Sequence, residues 1–455
     1  MANNLLTMSY ITNEALVVLE NELVVANRVE RQYSNEYAQT GAKVGNTVNV
    51  RRPPRYIGTY GPPLNVEDSN ETYVPVVLNY QFHVDVQFTT QDLALSMDMF
   101  KKRILRPQIA AVANRIDSDT YQYAFLNTGT NVGTPGVQPA SYKIFSDARA
   151  FLAAEACPTE GEKNCVLDPI SMSAATDSIK GLFNPQVKIG EYVEKGLVAR
   201  DFAGLDWWES QNVTTFITGA VGTGTAQAVA TVPAGTALLT TGWAGSGTLQ
   251  TKGWQASTAV LKVGDTIQIA GVFPVNPQNR LQYGRTLKQF VVLPPGGFVT
   301  PPNGSATTGI FFGAATLANG TFNPLTGIYT SDAGGLLTLN IGEAIISGGQ
   351  FQNVTAAPAA SAAITINGGV GSANANIATP QGLVFHKYAY ALAFADLPLP
   401  QGVEMAVRAY DDEDVGMSIR CVTQYTINND SEPTRADVLY GPASLYRSLG
   451  LRVNG

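Results

Sequence analysis

The chain has 455 residues and a net charge of −7, and only 14% of its residues are charged, against about 25% in a typical soluble domain. Its 45% hydrophobic residues are enough for sizeable cores, which excludes a globally disordered chain. The net negative charge does not indicate a general nucleic-acid-binding surface. The chain contains no run of about 18 apolar residues, so no membrane-spanning helix is predicted, and its three cysteines are too few for a disulfide framework.

The first predicted element is a helical arm within residues 1–35. Residues 14–31 contain no Gly or Pro, and Asn13 can cap a helix that begins there. The leucines that fall on one face of this helix are Leu16, Leu19 and Leu23. Valines widen the apolar surface beyond one stripe, so the arm needs a partner surface, either on its own domain or on a neighbouring subunit.

Residues 36–88 are predicted to form a projecting β-hairpin. Two alternating segments, 47–52 and 73–88, flank a polar excursion with two Pro-Pro steps. An ordinary exposed loop is the alternative. The hairpin carries opposite charges at its base and on its far side, at Arg51, Arg52 and Arg55 and then at Glu67 and Asp68.

Helical periodicity follows within residues 89–140. A first helical segment is predicted over 92–104, and a longer helix over 107–127 would be about 30 Å long. The next part, 141–209, is predicted to begin a mixed α/β body. Its two helices are predicted over 142–156 and 174–183, each ending near a proline.

The composition changes in the middle of the chain. Residues 210–380 hold only 8 Asp, Glu, Lys or Arg, and 26 of the 44 glycines. Short alternating runs punctuated by glycine predict a separate, inserted all-β domain there. A flexible spacer is the alternative, most plausible for 219–250 and 355–375. The body then resumes over 381–455, with strands predicted over 383–394, 405–409 and 417–427.

Side chains for chemistry are scarce. His83 and His386 each lie in an alternating strand context, which is typical of packed side chains, and no Cys and His cluster has zinc spacing. No complete phosphate-binding loop occurs. The sequence therefore predicts no enzyme, no cofactor and no metal site.

One acidic run, Asp411, Asp412, Glu413 and Asp414, lacks the ligand pattern of a calcium loop. This run and the hairpin charges are interpreted either as solvated surface or as complementary patches between copies of the chain. Such patches would set partner choice more than affinity.

Seven local strings occur in order along the chain: ANRIDSD at 113–119, VLDP at 166–169, GLFN at 181–184, EYVEKG at 191–196, FAGLDWWES at 202–210, VGDTIQIAGV at 263–272 and RADVLYG at 435–441. Together with the order of arm, hairpin, long helix, body and insertion, they make the chain resemble tailed-bacteriophage major capsid proteins of the Hong Kong 97-type fold. Within that group it is most similar to the Salmonella-podovirus-type coat protein with an insertion domain.

The resemblance implies an α+β fold with an N-arm, a long hairpin loop, a spine helix, mixed α/β P- and A-domains and an inserted small β-barrel. It implies self-assembly through hexamers and pentamers into an icosahedral head around double-stranded DNA, which the shell would contact non-specifically. A scaffolding protein and a portal are the expected partners, and a decoration protein is an open one. The location implied is the virion, assembled in the host cytoplasm, with no membrane.

The resemblance also gives the charged and apolar residues a role. The hairpin would reach over a neighbouring subunit with Arg51, Arg52 and Arg55 facing its acidic groups, and residues 1–35 would lie along an adjacent one. Three other classes stay open. They are an encapsulin-like compartment shell protein, a β-rich virion fibre or decoration protein, and an enzyme with an unrecognised site.

Overall fold

The computed structural model describes residues 23–31, 45, 47–89, 106–159, 162–179, 203–213, 215–220, 230–232, 238–239, 242–284, 286–302, 309–366, 375–380, 382–410 and 417–455. The helices within these residues are α1 (Arg106–Asn127), α2 (Tyr142–Ala154) and α3 (Pro169–Ile179). Short 3-10 turns span Lys387–Ala389 and Arg447–Leu449.

The strands, in chain order, are β1 (Thr47–Arg52), β2 (Thr72–Val77), β3 (Tyr80–Thr89), β4 (Thr130–Val132), β5 (Lys163–Leu167), β6 (Asp206–Glu209), β7 (Thr215–Ile217), β8 (Ala230–Val232), β9 (Leu238–Leu239), β10 (Ser246–Lys252), β11 (Ala259–Lys262), β12 (Thr266–Ile269), β13 (Gln289–Leu293), β14 (Phe298–Val299), β15 (Phe311–Phe312), β16 (Thr321–Asn323), β17 (Ile328–Thr330), β18 (Leu336–Gly342), β19 (Ile345–Ile346), β20 (Ala362–Ile366), β21 (Ala378–Pro380), β22 (Gly382–His386), β23 (Tyr390–Ala395), β24 (Met405–Tyr410), β25 (Ser418–Thr423), β26 (Ser431–Ser444) and β27 (Gly450–Val453).

A long antiparallel sheet carries α1. Its strands run in the order β23-β26-β25-β24, and β3 pairs with β26 along ten residues. Apolar residues of α1 recur at helical spacing, so one face of the helix is buried against the sheet, at Ile109, Val112, Ala113 and Ile116. Tyr440 of β26 stacks on Tyr80 of β3 with ring centroids 5.6 Å apart, and its hydroxyl donates to Asp119 of α1 at 2.7 Å.

A second sheet, in the order β4-β27-β22-β5-β6, forms the other part of the body. α2 and α3 contribute to its core, in which Phe145 packs on Trp207 with ring centroids 4.6 Å apart. β5 and β6 are parallel, as are β27 and β4, while β22 pairs antiparallel with both of its neighbours. The end of the chain therefore lies in this sheet and contacts the C-terminal end of α1.

The low-charge middle of the chain contains a closed barrel in the order β10-β18-β13-β12-β20-β8. Every strand pairing in it is antiparallel. β10 shows why these residues form strands, because Leu249 and Thr251 point into the barrel while Thr248, Gln250 and Lys252 are exposed. Two small sheets, β11-β17-β16 and β14-β15, also belong to this region.

β1 and β2 pair antiparallel, from Thr47 opposite Val77 to Arg52 opposite Thr72. This pairing confirms a pair of strands around the polar excursion. The second predicted segment, 73–88, is wrong as a single strand, because it is divided into β2, which pairs with β1, and β3, which pairs with β26 in the large sheet. Their base is buried on the body, where the apolar side chains of Val50, Val76 and Leu78 meet Ala393 and Leu445.

The predicted helix over 107–127 is confirmed by α1, and the helix over 142–156 is confirmed by α2 to within two residues. α3 begins five residues before the predicted start at 174. The helical segment predicted over 92–104 lies outside the described residues. The strand predicted over 383–394 is two strands, β22 and β23, which belong to different sheets because a 3-10 turn separates them.

The prediction of an N-terminal helix is wrong for residues 23–31, the part of it that the structure describes. Residues 23–31 form turns and a single β-bridge instead of helix. The carboxylate of Asp117 on α1 accepts hydrogen bonds from the backbone N–H groups of Val25 at 2.6 Å and Ala26 at 3.0 Å, and Glu30 exchanges backbone hydrogen bonds with β23. These tertiary partners replace the i to i−4 bonds on which a helix depends.

Candidate subunit-contact surface

The 19 residues between β1 and β2 form a projecting segment, here called the strap (53–71). Its two legs are tied together by polar contacts across the loop. The hydroxyls of Tyr56 and Ser69 are 3.1 Å apart, and the Glu67 carboxylate accepts from the backbone N–H groups of Ile57 at 2.7 Å and Gly58 at 2.5 Å. The strap is therefore a closed loop with a defined tip.

The tip of the strap exposes apolar side chains to solvent. Leu64 is 91% exposed, Val66 is 77% exposed and Tyr60 is fully exposed, while Pro62 and Pro63 restrict the backbone between them. Large apolar side chains clustered on a stiff projection are typical of a protein–protein contact. The tip is thus the strongest candidate contact surface within the described residues.

The three arginines that the sequence placed on this surface have different surroundings. Arg51 is exposed and lies 3.6 Å from Glu71, which is an ordinary surface ion pair. Arg52 lies between two aromatic rings, 4.5 Å from the centroid of Trp243 and 4.4 Å from that of Tyr446. Burial, followed by the nearby charge of Arg52, lowers the pKa of Arg55.

The two acidic residues that the sequence placed on this surface, Glu67 and Asp68, both have contacts within the same chain. Glu67 closes the tip through its side chain, and the backbone oxygen of Asp68 accepts a hydrogen bond from Nε2 of Gln350 at 2.7 Å. Leu23 of the predicted arm is buried in the core below α1. The other predicted contact residues lie outside the described residues, namely Leu16, Leu19, Asp411, Asp412, Glu413 and Asp414.

Sequence reasoning missed a buried charge cluster between body and barrel. Glu155, at the C-terminal end of α2, lies 2.8 Å from Nζ of Lys288, and both side chains are more than nine-tenths buried. The hydroxyl of Tyr283 also donates to the Glu155 carboxylate. Burial lowers the pKa of Lys288, but the charges of Glu155 and Glu343 outweigh it and the net shift is upward. Lys288 is one of only 8 charged residues in 210–380. A charged residue in such a charge-poor segment was the sequence feature that could have indicated a buried ion pair.

The two histidines have structural surroundings. Nδ1 of His83 lies 3.0 Å from the Asp85 carboxylate on the surface of β3, and Nδ1 of the fully buried His386 accepts from the backbone N–H of Tyr388 at 3.3 Å. In the described part of the chain, His, Cys, Asp and Glu do not gather into any group that could hold a metal ion. None of the helices described above is both long and apolar enough to cross a membrane.

Solved structures of phage capsids resemble this chain at low identity. The capsid of cyanophage P-SCSP1u has 11% identity and a TM-score of 0.40, covering 95% of this chain and 88% of its own. Mycobacterium phage Che8 has 10% identity and a TM-score of 0.39, covering 94% and 90%. The virus-like particle of Pyrococcus furiosus has 8% identity and a TM-score of 0.28, covering 74% and 94%. Likenesses at this level carry no argument about function.

No curated protein matches the chain. A family model does, and its description is P22 coat protein, gene protein 5. It matches residues 1–300 and 336–455, which is most of the chain and includes the arm, the strap, α1, the body and all six strands of the barrel. The family match supports a phage coat protein with the mixed α/β capsid fold of the Hong Kong 97 type. It favours this function over the three alternatives considered from the sequence, which were a compartment shell protein, a fibre or decoration protein and an enzyme. The chain belongs to the P22 coat protein family.

Proposed function

We propose that the strap is a principal contact through which copies of this major capsid protein join into an icosahedral shell. The observation that carries the proposal is the exposed apolar tip on a loop closed by its own hydrogen bonds. Such a tip loses water from Tyr60, Leu64 and Val66 when it packs on another subunit, at about 25 cal/mol for each Å² of apolar surface removed.

The charged and N-terminal segments would add weaker contacts. Arg51 is the exposed arginine of the predicted set, and we assign it to acidic groups of a neighbour such as the run Asp411–Asp414. Residues 1–22, with Leu16 and Leu19, would lie along an adjacent subunit. Weak contacts suit a shell, because many of them act together while each remains reversible during assembly.

The finer parts of the proposal concern domains and partners. The low-charge segment 210–380 is assigned as the inserted domain, between body parts 141–209 and 381–455. Hexamers and pentamers, a scaffolding protein, a portal, a decoration protein and non-specific contact with packaged double-stranded DNA complete the proposal, with assembly in the host cytoplasm. Family membership and the low charge of 210–380 support these assignments.

The test is assembly of the full chain with and without a scaffolding protein, followed by electron microscopy and sedimentation. The wild type is expected to form closed polyhedral shells. The variant Tyr60→Asp with Leu64→Asp is expected to remain a folded, small species, because it would bury two uncompensated charges in the contact.

The matched control is Tyr60→Phe with Leu64→Met, which keeps the tip apolar and should assemble as the wild type does. Circular dichroism checks that all three chains are equally folded. Shells formed as readily by the double Asp variant as by the control would refute the assigned contact. A wild type that never forms shells would refute the function itself.

A further inference from the structure

Loops of the barrel region touch both legs of the strap in the same chain. Nη2 of Arg280 donates to the backbone oxygen of Tyr56 at 2.8 Å on the first leg. Nε2 of Gln350 donates to the backbone oxygen of Asp68 at 2.7 Å on the second leg. One acceptor belongs to Tyr56 and the other to the neighbour of Ser69, so the two hydrogen bonds hold the two legs next to the cross-loop contact between Tyr56 and Ser69.

The root of the strap has a third contact with the same region. The guanidinium of Arg52 stacks over the ring of Trp243, which comes just before β10 of the barrel. Hydrogen bonds to backbone oxygens and a cation–π contact at the root fix the direction of the strap without occupying the side chains at its tip. All three contacts therefore leave the exposed side chains of Tyr60 and Leu64 free.

The loop that presents Arg280 is itself built and anchored. The side-chain oxygen of Asn276 accepts from the backbone N–H groups of Gln278 and Asn279, and the backbone oxygen of Asn276 accepts from Arg280 at 2.9 Å. Arg280 has φ of 56°, a left-handed conformation that costs a non-glycine residue energy and persists only where the surroundings impose it.

The same loop is fastened to the body at its two ends. Nδ2 of Asn276 donates at 2.7 Å to the backbone oxygen of Ala154, the last residue of α2. On the other side, Lys288 and Tyr283 meet the buried carboxylate of Glu155. A continuous chain of polar contacts thus runs from α2 through the barrel loop to the strap.

We propose that the inserted barrel serves as an intramolecular clamp, in which Arg280 and Gln350 hold the two legs of the strap and aim its apolar tip at a second copy of this chain. The clamp itself is a property of the single chain. The identity of the second copy as the target rests on the proposed function of the strap.

The experiment compares the full, unassembled chain with its variant Arg280→Ala and Gln350→Ala. Limited digestion with chymotrypsin, with cleavage at Tyr56, Tyr60 and Leu64 followed by mass spectrometry, measures how often the strap leaves its docked position. Losing two hydrogen bonds is expected to speed this cleavage by about tenfold. Hydrogen exchange of the amides of 53–71 should rise with it.

The matched control is Lys252→Ala with Gln255→Ala, which removes one cation and one amide from exposed positions of the barrel region away from these contacts. Its cleavage rate should equal that of the wild type. Arg280→Lys retains a cation with a donor and should lie between wild type and Arg280→Ala. If the double variant does not fold, the cleavage rate of the single variant Gln350→Ala tests the clamp instead. This variant should fold, because the side chain of Gln350 is only half-buried.

Equal cleavage rates in the clamp variants and the control would overturn the clamp. The outcome is separable from that of the proposed function, since digestion needs no shells. If the tip variant still assembles while the clamp variant is cleaved faster, the assigned contact fails and the clamp stands. If clamp variants are cleaved faster and also give more aberrant shells, both hold.

Discussion

Nη2 of Arg452 donates to the backbone oxygen of Phe125 at 2.8 Å, so a residue near the end of the chain supplies a donor to the last turn of α1. The same guanidinium donates to the backbone oxygen of Gly264 and lies 4.1 Å from the centre of the Phe125 ring. Burial, partly offset by Asp265, lowers the pKa of Arg452 to about 10. One buried cation thus joins α1, the last strand and the barrel region.

Replacing Arg452 with Met is expected to destabilise the chain by about 3 kcal/mol, because two buried backbone oxygens lose their donor. Urea unfolding of the wild type and variant measures the change in free energy of unfolding. The control is Arg408→Met, whose partly exposed ion pair with Asp396 at 3.1 Å should contribute less than about 1 kcal/mol. Equal losses in the two variants would contradict the assigned role of Arg452.

The buried pair of Glu155 and Lys288 makes a different prediction. Lys288→Met leaves a carboxylate buried without its cation and is expected to cost about 3–5 kcal/mol, as is Glu155→Met with the ammonium left behind. The double variant should cost clearly less than the sum, since no uncompensated charge remains. A double-mutant cycle in urea measures this coupling. Simple additivity would show that the two side chains do not interact.

Asp117 predicts a pH dependence. Burial is the largest influence on this carboxyl and raises its pKa, against the lowering effect of hydrogen bonds from Asn212 and residues 24–26. At pH values between the ordinary pKa of 3.8 and the higher pKa in the folded chain, Asp117 is more often protonated in the folded chain than in the unfolded chain. Its stability must therefore fall as pH rises through that window.

Asp117→Asn has no proton to lose, so the wild type should lose stability relative to it with rising pH. The slope is at most about 1.4 kcal/mol per pH unit for one proton. Urea unfolding of both chains at several pH values from about 4 upward measures the difference. A difference that stays constant, or that grows in favour of the wild type, would contradict the raised pKa.

Gly441 predicts the cost of crowding the base of the strap. A Cβ built at this position would lie 2.1 Å from the backbone oxygen of Val77, the last residue of β2. Gly441→Ala must push the strap base away from β26, at about 1–3 kcal/mol, and should quicken strap cleavage. The exposed Gly334, where the nearest atom would be 3.4 Å away, is the matched control and should change stability by less than about 0.5 kcal/mol. A tolerated Ala at 441 would mean that the strap base moves freely.

The sequence by itself determined the local elements and the order of parts. Helical spacing of Ile109, Val112 and Ile116 fixed α1, because one helical face must be buried, and period-two alternation in β10 marked the barrel strands for the same reason. The Pro-Pro steps marked the strap, since proline removes donors from a strand.

Only the tertiary structure decided which charges face solvent and which face the chain itself. Arg51, Arg52 and Arg55 are alike in sequence, yet Arg51 lies at the surface while Arg52 lies between two aromatic rings from distant segments. The turn at 23–31 is fixed by Asp117, more than 85 residues away. Sequence periodicity reports burial against local neighbours, whereas these partners are brought together only by strand pairing and domain packing, which no local pattern encodes.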